Sequence, residues 1–379
     1  MGTAGASKAK PSTEHRGNEF VRTRLPLTEP PERLCIVRLS AIGDTCHTVP
    51  VVRAIQDAWP DTEITWIIGR VEHSLMQGME RVRFAVLDKS LGWRGYPALR
   101  RQIGNRRFPV LLHMHASQRA NLASFCVRSP LRLGFDRARA RDGQYWFCNA
   151  HIPARAERHV MDGLFEFVEA LGIEPGRPRW DIPVADSDRE FAARTIGAGS
   201  PWLIISPCTG QRFRNFRNWR AERYAATADY AHTRYGARIL LTGGMTELER
   251  SYGSEISRLA SCPVENLIGQ TTLKQLLCLI ERASVLLCPD SGPAHMATGV
   301  GTPVVGLYAS SNRFRTGPWA SQHLVVVKYP EAVRDELGCE VSEIRWGRRV
   351  RAPDVMDRIA VADVVERLDK AFKERDIKV

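Results

Sequence analysis

The chain has 379 residues, 44% hydrophobic and 25% charged, and its 54 Lys and Arg outnumber its 42 Asp and Glu for a net charge of +12. These values exclude wholesale disorder and suit a globular protein of two domains. No apolar run of about 18 residues predicts a spanning helix, the first thirty residues hold no apolar leader segment, and nine scattered cysteines without a Cys-x-x-Cys pair fit reduced thiols in a cytoplasm rather than disulfides or a zinc site.

Residues 1–31 read as a tail rich in Ser, Thr, Pro and Lys that ends in Glu29-Pro30-Pro31. A first α/β domain is expected over 32–175. Its opening run, 34–37, suits a buried parallel strand. The turn Ser40-Ala41-Ile42-Gly43-Asp44 follows. A helix is then expected from the spacing of Val51, Val52, Ile55 and Trp59, with Pro50 tolerable in its first turn. Residues 63–68 read as the next strand, which completes a βαβ unit. Further strands are expected at 82–87 and 110–113, and an amphipathic helix at 159–171, ended by Gly172. The Pro-, Gly- and Asp-rich stretch 176–200 lacks a clear period and reads as a linker. A second α/β domain is expected over 201–350. Its strands fall at 202–206, 238–242, 285–288 and 303–308, and its helices at 221–235, 246–259, 273–282 and 293–300. Residues 351–379 close the chain as a helix and tail. The fold class is α/β: two Rossmann-like, doubly wound domains facing a cleft.

The positive excess is concentrated. From Arg81 to Arg141 fourteen basic residues stand against Asp88 and Asp136 alone, so this segment carries the excess of the whole chain. Such one-sidedness points to an acidic partner: nucleic acid, anionic lipid or a phosphorylated substrate.

Ligands in doubly wound sheets sit beyond the carboxyl ends of the strands, and four turns there hold unusual residues. Asp290-Ser291-Gly292-Pro293-Ala294-His295 follows a strand and opens a helix. Ser291 suits a cap, Gly292 admits a ligand close to the backbone, and the free N–H groups and dipole favour a diphosphate. The turn 206–219 crowds Arg212, Arg214, Arg217 and Arg220 into nine positions, and arginine forks pair with phosphate oxygens. Gly243 and Gly244 after a strand read either as a tight turn or as a close approach to a nucleotide, with Glu247 accepting ribose hydroxyls. Asp44 stands at a helix start, where it is either a cap or a base for an attacking hydroxyl. Two metal-like patterns carry blander readings: Asp186-Ser187-Asp188 as a helix cap, and His113-x-His115 as two polar cleft residues without companion ligands.

Residues 34–50 together with Asp290-Ser291-Gly292-Pro293-x-His295, Gly301-x-Pro303, Leu307-Tyr308 and Gly317-Pro318 resemble the two signatures of glycosyltransferase family 9, the ADP-heptose:lipopolysaccharide heptosyltransferases. Gly134-Phe135-Asp136, the helix opened by His159 and Thr242-Gly243-Gly244 also match, and the resemblance covers about 33 to 320. It implies a GT-B fold with the acceptor on the first domain and the donor on the second. It implies an inverting transfer of heptose from ADP-heptose to the lipopolysaccharide inner core, with no metal and no cofactor. Asp44 would be the general base and Arg217 the cation on the leaving group. Thr209, Gly243, Gly244, Glu247, Asp290, Ser291, Gly292 and His295 would hold the donor. Ser40, Gly43, His47 and Arg119 would hold the acceptor.

The sequence departs from the family in a longer basic loop, so Arg212 or Arg214 stand beside Arg217 as candidates. Arg217 and Arg220 replace a frequent Lys and Pro, and His113-Met114-His115-Ala116 replaces Asp-x-Gln-Gly on the acceptor side. A GT-B enzyme with another nucleotide sugar or a non-lipopolysaccharide acceptor is the nearest alternative. A basic nucleic-acid-binding protein is the other, although no RNA-binding aromatic motif accompanies the charge and no nucleic acid is expected. The basic segment predicts salt-sensitive association with an anionic inner-membrane surface.

Overall fold

A computed structural model describes residues 25–210 and 215–376. Most of the expected tail, and Arg212 and Arg214, lie outside the described residues. The first half comprises β1 (Arg33–Val37), α1 (Ile42–Ala58), β2 (Glu63–Gly69), α2 (Arg70–Met76), β3 (Val82–Leu87), α3 (Gly95–Ile103), β4 (Val110–His113), α4 (Gln118–Ser124), β5 (Leu131–Gly134), β6 (Ala150–His151) and α5 (Val160–Ala170). Next come α6 (Asp186–Thr195), β7 (Trp202–Ile205), α7 (Ala221–Tyr235), β8 (Arg238–Leu241), α8 (Glu247–Leu259), β9 (Val264–Asn266), α9 (Leu273–Arg282) and β10 (Val285–Pro289). The chain ends with α10 (Gly292–Val300), β11 (Val304–Tyr308), α11 (Arg313–Thr316), β12 (Val326–Val327), α12 (Tyr329–Leu337) and α13 (Val361–Asp376).

Two six-stranded parallel sheets result, ordered β3-β2-β1-β4-β5-β6 and β12-β11-β10-β7-β8-β9. Both share one winding, and each reverses direction beside its first strand, between β1 and β4 and between β7 and β10. Alternation along the strands divides the core. Leu34 and Ile36 of β1, with Trp202 and Ile204 of β7, belong to one continuous apolar cluster that runs through both halves. Cys35 and Val37 face a second cluster under α3 and α4, and Leu203 and Ile205 face a third under α7 and α13. The halves are therefore joined by a shared core rather than a wet interface. α1 packs on α5 and α10, and α6 on α9. Lys274 of α9 donates to the carbonyls of Gln77 (2.8 Å) and Pro183 (2.6 Å), and Arg53 of α1 pairs with Asp181 at 2.7 Å.

Three expectations need correction. Residues 25–31 are not a tail: Leu25 and Leu27 pack on the first core, and Leu27 N–H donates to Leu171 O at 3.1 Å. Helix α1 starts at Ile42, so Pro50 lies inside it and not in its first turn. Position 50 forgoes one ladder bond, and the burial of Val49, Val51, Val52 and Ile55 outweighs that loss. The stretch 176–200 contains α6, whose charged sequence buries only Ala192 fully. There the Asp188 carboxylate accepts from Ala185 N–H (3.2 Å), the capping bond expected of it.

Phe167 is fully buried in the shared core, its ring 5.0 Å from that of Phe135. Phe167→Ala is expected to cost about 3–5 kcal/mol, read as a lower midpoint in urea unfolding; a midpoint unchanged from wild type would show that this core does not hold the halves.

Candidate functional site

The turns after the four strands that border the two switch points face one another across the seam. After β1, Arg38 places its guanidinium 2.6 Å from Asp44, while Ala41 N–H donates to the same carboxylate at 3.2 Å. The cap reading of Asp44 is therefore met, and about a third of its side chain (32%) remains open for a substrate. Burial alone would raise this carboxyl. Arg38, then His47, the Ala41 N–H and His295 outweigh burial and hold it well below the usual carboxylate range. Asp44 is ionised at neutral pH.

On the opposite half, Asp290 is buried. Arg217 reaches it at 3.5 Å and donates to its backbone carbonyl at 2.7 Å, and Arg349 approaches the same carboxylate at 3.5 Å. Ser291 is the N-cap residue of α10, but its hydroxyl bonds no backbone N–H, contrary to the capping expectation. The N–H groups of the first turn are thus left for a ligand. Thr209 is held by Asn218, whose side-chain oxygen accepts from Thr209 N–H at 2.9 Å.

The halves meet most closely where α1 faces α10. A β-carbon on Gly43 would stand 2.2 Å from Cδ2 of His295, so only glycine admits this approach. His47 lies beneath, almost without exposure, with its ring edge-on to His295 (4.5 Å) and His159 (5.5 Å). This corrects the expectation that His47 touches the acceptor: its imidazole packs inside the seam. His159, which sequence reasoning placed only as a helix start, is the N-cap of α5 through Nδ1 and contacts Gly317 O through Nε2 at 2.9 Å. With Nδ1 accepting from Met161 N–H, Nε2 carries the proton and donates across the seam. Burial pushes all three imidazoles down, His159 to about 4.

Ser40 is half-buried beside Asp44, and Arg119 is exposed at the start of α4. His113 hydrogen-bonds Gln144, and His115 accepts from Leu39 N–H at 3.1 Å, so the two rings have separate partners. Gly243 and Gly244 form the turn after β8, but Glu247 stays exposed on the surface of α8. Glu249 folds over this turn instead and accepts from Gly244 N–H (2.7 Å) and the Thr246 hydroxyl (2.6 Å). The capping box Thr246-x-x-Glu249 was the available signal for it. Arg315, Arg345 and Arg349 also reach the seam and were missed: Arg315 lies on the short α11, several residues beyond β11, and Arg345 and Arg349 lie on the loop after α12.

The fold matches a glycosyl transferase family 9 structure from Veillonella parvula with a TM-score of 0.73 and 20% identity, over 90% of this chain and 97% of that one. It matches the ADP-heptose lipopolysaccharide heptosyltransferase II of Escherichia coli with a TM-score of 0.68 and 19% identity, over 91% and 99%. Two Rossmann-like sheets meeting at their switch points make this a GT-B type fold. In sequence, the chain is 36% identical to the lipopolysaccharide core heptosyltransferase OpsX of Haemophilus influenzae, over 91% of its own length and 99% of the relative's. The pattern of glycosyltransferase family 9 (heptosyltransferase) matches residues 96–342, and the chain belongs to that family.

The buried imidazoles predict acid sensitivity. Unfolded histidines take up protons near pH 6.5, whereas His159 resists to about 4. Between these values the unfolded state binds more protons, so stability that is complete above about 6.5 is lost as pH falls through this window. The thermal midpoint is expected to drop from pH 7 to pH 4.5, and less steeply in His159→Gln; a midpoint that rises on acidification would show protonated imidazoles in the seam.

Proposed function

We propose that this protein transfers heptose from ADP-heptose to a hydroxyl of the lipopolysaccharide inner core, with inversion, by a single displacement. One observation carries the reading: an ionised, partly open carboxylate, Asp44, stands on one half directly opposite the open first turn of α10 on the other. The names of the relatives supply the chemistry, since one is a lipopolysaccharide core heptosyltransferase and another an ADP-heptose enzyme.

In this mechanism the acceptor hydroxyl lies against Asp44. Arg38 and Ala41 N–H fix one carboxylate oxygen, which leaves the other to accept the proton as the hydroxyl oxygen attacks the anomeric carbon. The bond to the diphosphate breaks on the far side. Charge gathers on the departing ADP, where Arg217 and the N–H groups after Ser291 stand ready. Arginines supply this stabilisation, so the reading calls on no metal. Asp44→Asn is expected to lower turnover by about 10²–10⁴ and to leave ADP binding unchanged. Turnover equal to wild type would remove Asp44 from the mechanism. In thermal unfolding with ADP, UDP, GDP or CMP, ADP at 100 times its Kd is expected to add about 2.7 kcal/mol; stabilisation by UDP or GDP instead would keep the enzyme class and discard ADP-heptose.

The acceptor is a membrane lipid in this reading, and the first half offers a surface for it on the cytoplasmic side. Trp93 (76% exposed), Phe125 (63%) and Trp146 (83%) stand out around α3 and α4, among the exposed Arg94, Arg100, Arg101, Arg119 and Arg128. Aromatic tips with an arginine surround suit an anionic bilayer, at about 1 kcal/mol for each cation near the surface. No described helix is long and apolar enough to cross a membrane. Sedimentation with anionic vesicles is expected at low salt, with release as salt rises and weaker binding by the Trp93→Ser, Trp146→Ser double variant; binding indifferent to salt would overturn the association.

A further inference from the structure

His47, His113, His159 and His295 are all buried. His115 is not. It is half-buried in the turn between β4 and α4, and it is held from two directions. The pairing of β1 with β4 runs as far as Val37 opposite His113, and Met114 N–H donates to Val37 O at 3.1 Å. Continued by two residues, this register sets His115 opposite Leu39. There the imidazole takes the place of a carbonyl, and Leu39 N–H donates to His115 Nδ1 at 3.1 Å. The backbone carbonyl of His115 accepts from Ser117 N–H at 3.0 Å, so the turn that carries the ring is pinned as well.

Arg38 ties this turn to Asp44. Its guanidinium donates to Met114 O, next to His115, and pairs with the Asp44 carboxylate at 2.6 Å. Asp44 also accepts from Ala41 N–H. Leu39 and Ala41 are two residues apart, a span of about 7 Å at most. The imidazole and the carboxylate therefore flank one short stretch of the turn after β1, in the crevice at the switch point where a doubly wound sheet takes its ligand.

The bond to Leu39 fixes the tautomer. Nδ1 uses its lone pair to accept, so the neutral ring carries its proton on Nε2. Burial, and then the charge of Arg38, pushes the ring down to about 3 against the opposing pull of Asp44. His115 is neutral at neutral pH. Among the described residues nothing bonds its Nε2, and this atom, unlike Nε2 of His113, is not shut off from solvent.

The two open atoms differ in kind. The second oxygen of Asp44 only accepts, and the Nε2–H of His115 only donates. A sugar that gives a hydroxyl proton to Asp44 holds further oxygens on neighbouring carbons. A donor aimed at the attacking oxygen itself would tie up the lone pair that forms the new bond, so Nε2–H suits a neighbouring oxygen. We propose that the Nε2–H of His115 binds an oxygen of the acceptor sugar beside the hydroxyl that faces Asp44, and so fixes how that sugar lies against the carboxylate. This inference rests on the reading of Asp44 as the base on the acceptor side.

The test follows transfer from ADP-heptose to lipopolysaccharide that lacks heptose, with the full chain and three variants. His115→Asn places an amide where Nδ1 stands, so it keeps the bond to Leu39 but does not reach into the crevice. His115→Gln extends an amide N–H to where Nε2 stands. His115→Ala and His115→Asn are expected to raise the acceptor KM about three- to tenfold, the loss of one neutral hydrogen bond, with the KM for ADP-heptose unchanged. His115→Gln is expected to recover most of that loss. Recovery by His115→Asn and not by His115→Gln would show that the ring serves only Leu39, and the proposal fails. It fails equally if His115→Ala keeps the wild-type acceptor KM, or if both substrates weaken by the same factor.

Nitrogen-15 spectra of the histidine-labelled wild type give a check that no loss of folding in a variant can imitate. The His115 signals, identified by their absence from His115→Gln, are expected to show the Nε2–H tautomer. They should stay neutral at about pH 5, where an unperturbed imidazole is charged, and the Nε2 shift should move when the acceptor is added. An Nδ1–H tautomer, or a shift indifferent to an acceptor that wild type turns over, overturns the proposal. Wild type that transfers no heptose to this acceptor would instead overturn the reading of the function, a result separate from the others.

Discussion

Between Gly43 and His295 there is no space for a β-carbon, and the rest of the site depends on that contact. It brings the N-terminal ends of α1 and α10 together, and each of these helices starts at the switch point of its own sheet. An alanine at 43 would force the halves apart by the width of a methyl group, and the residues brought together by the fold would no longer share one seam. The shared apolar core makes the approach possible, because α1, α5, α9 and α10 all contribute to a single cluster. The histidines are the consequence. Packed edge to face and shielded from water, they are held in the neutral form by burial.

Charge within the seam follows from the same geometry. Asp44 is oriented by Arg38, and Asp290 by Arg217 and Arg349, so neither carboxylate sits in a low-dielectric gap without a cation. For Asp44 the pairing has a chemical price, since a carboxylate so well stabilised is a weak base. In the proposed displacement the compensation is position: the second oxygen stays open to an incoming hydroxyl, and the proton would move only as the new bond forms.

The strands and the turns that follow them were legible because buried parallel strands are short apolar runs. The expected bounds of 82–87 and 110–113 coincide with β3 and β4, and those of 221–235 and 273–282 with α7 and α9. Short helices were less legible: α2 and α4 show no apolar period, and α6 was read only through its cap at Asp186-Ser187-Asp188. Asp44, Arg217, Asp290 and His295, singled out by their place after strands, do lie at the seam. Glu247 was singled out and Glu249 was not considered, since sequence shows adjacency to the glycines but not the fold-back of a capping box. His47 was assigned to the cleft, because a polar residue beside Asp44 reads as exposed until α10 and α5 cover it.

The basic segment 81–141 shows how one pattern of charge separates once the chain is folded. Arg132 serves structure, bonding Phe147 O and Ser124 O around β5. Arg139 neutralises Asp136 and Glu166. Arg94, Arg100, Arg101, Arg119 and Arg128 face solvent beside exposed aromatics. Arg141 alone of these crosses to the arginines of the other half. In sequence these fourteen residues are a single excess, but the energetics differ by location: an exposed guanidinium costs little and is screened by salt, while one folded against buried carboxylates or carbonyls, as Arg139 and Arg132 are, would leave those groups unsatisfied if removed.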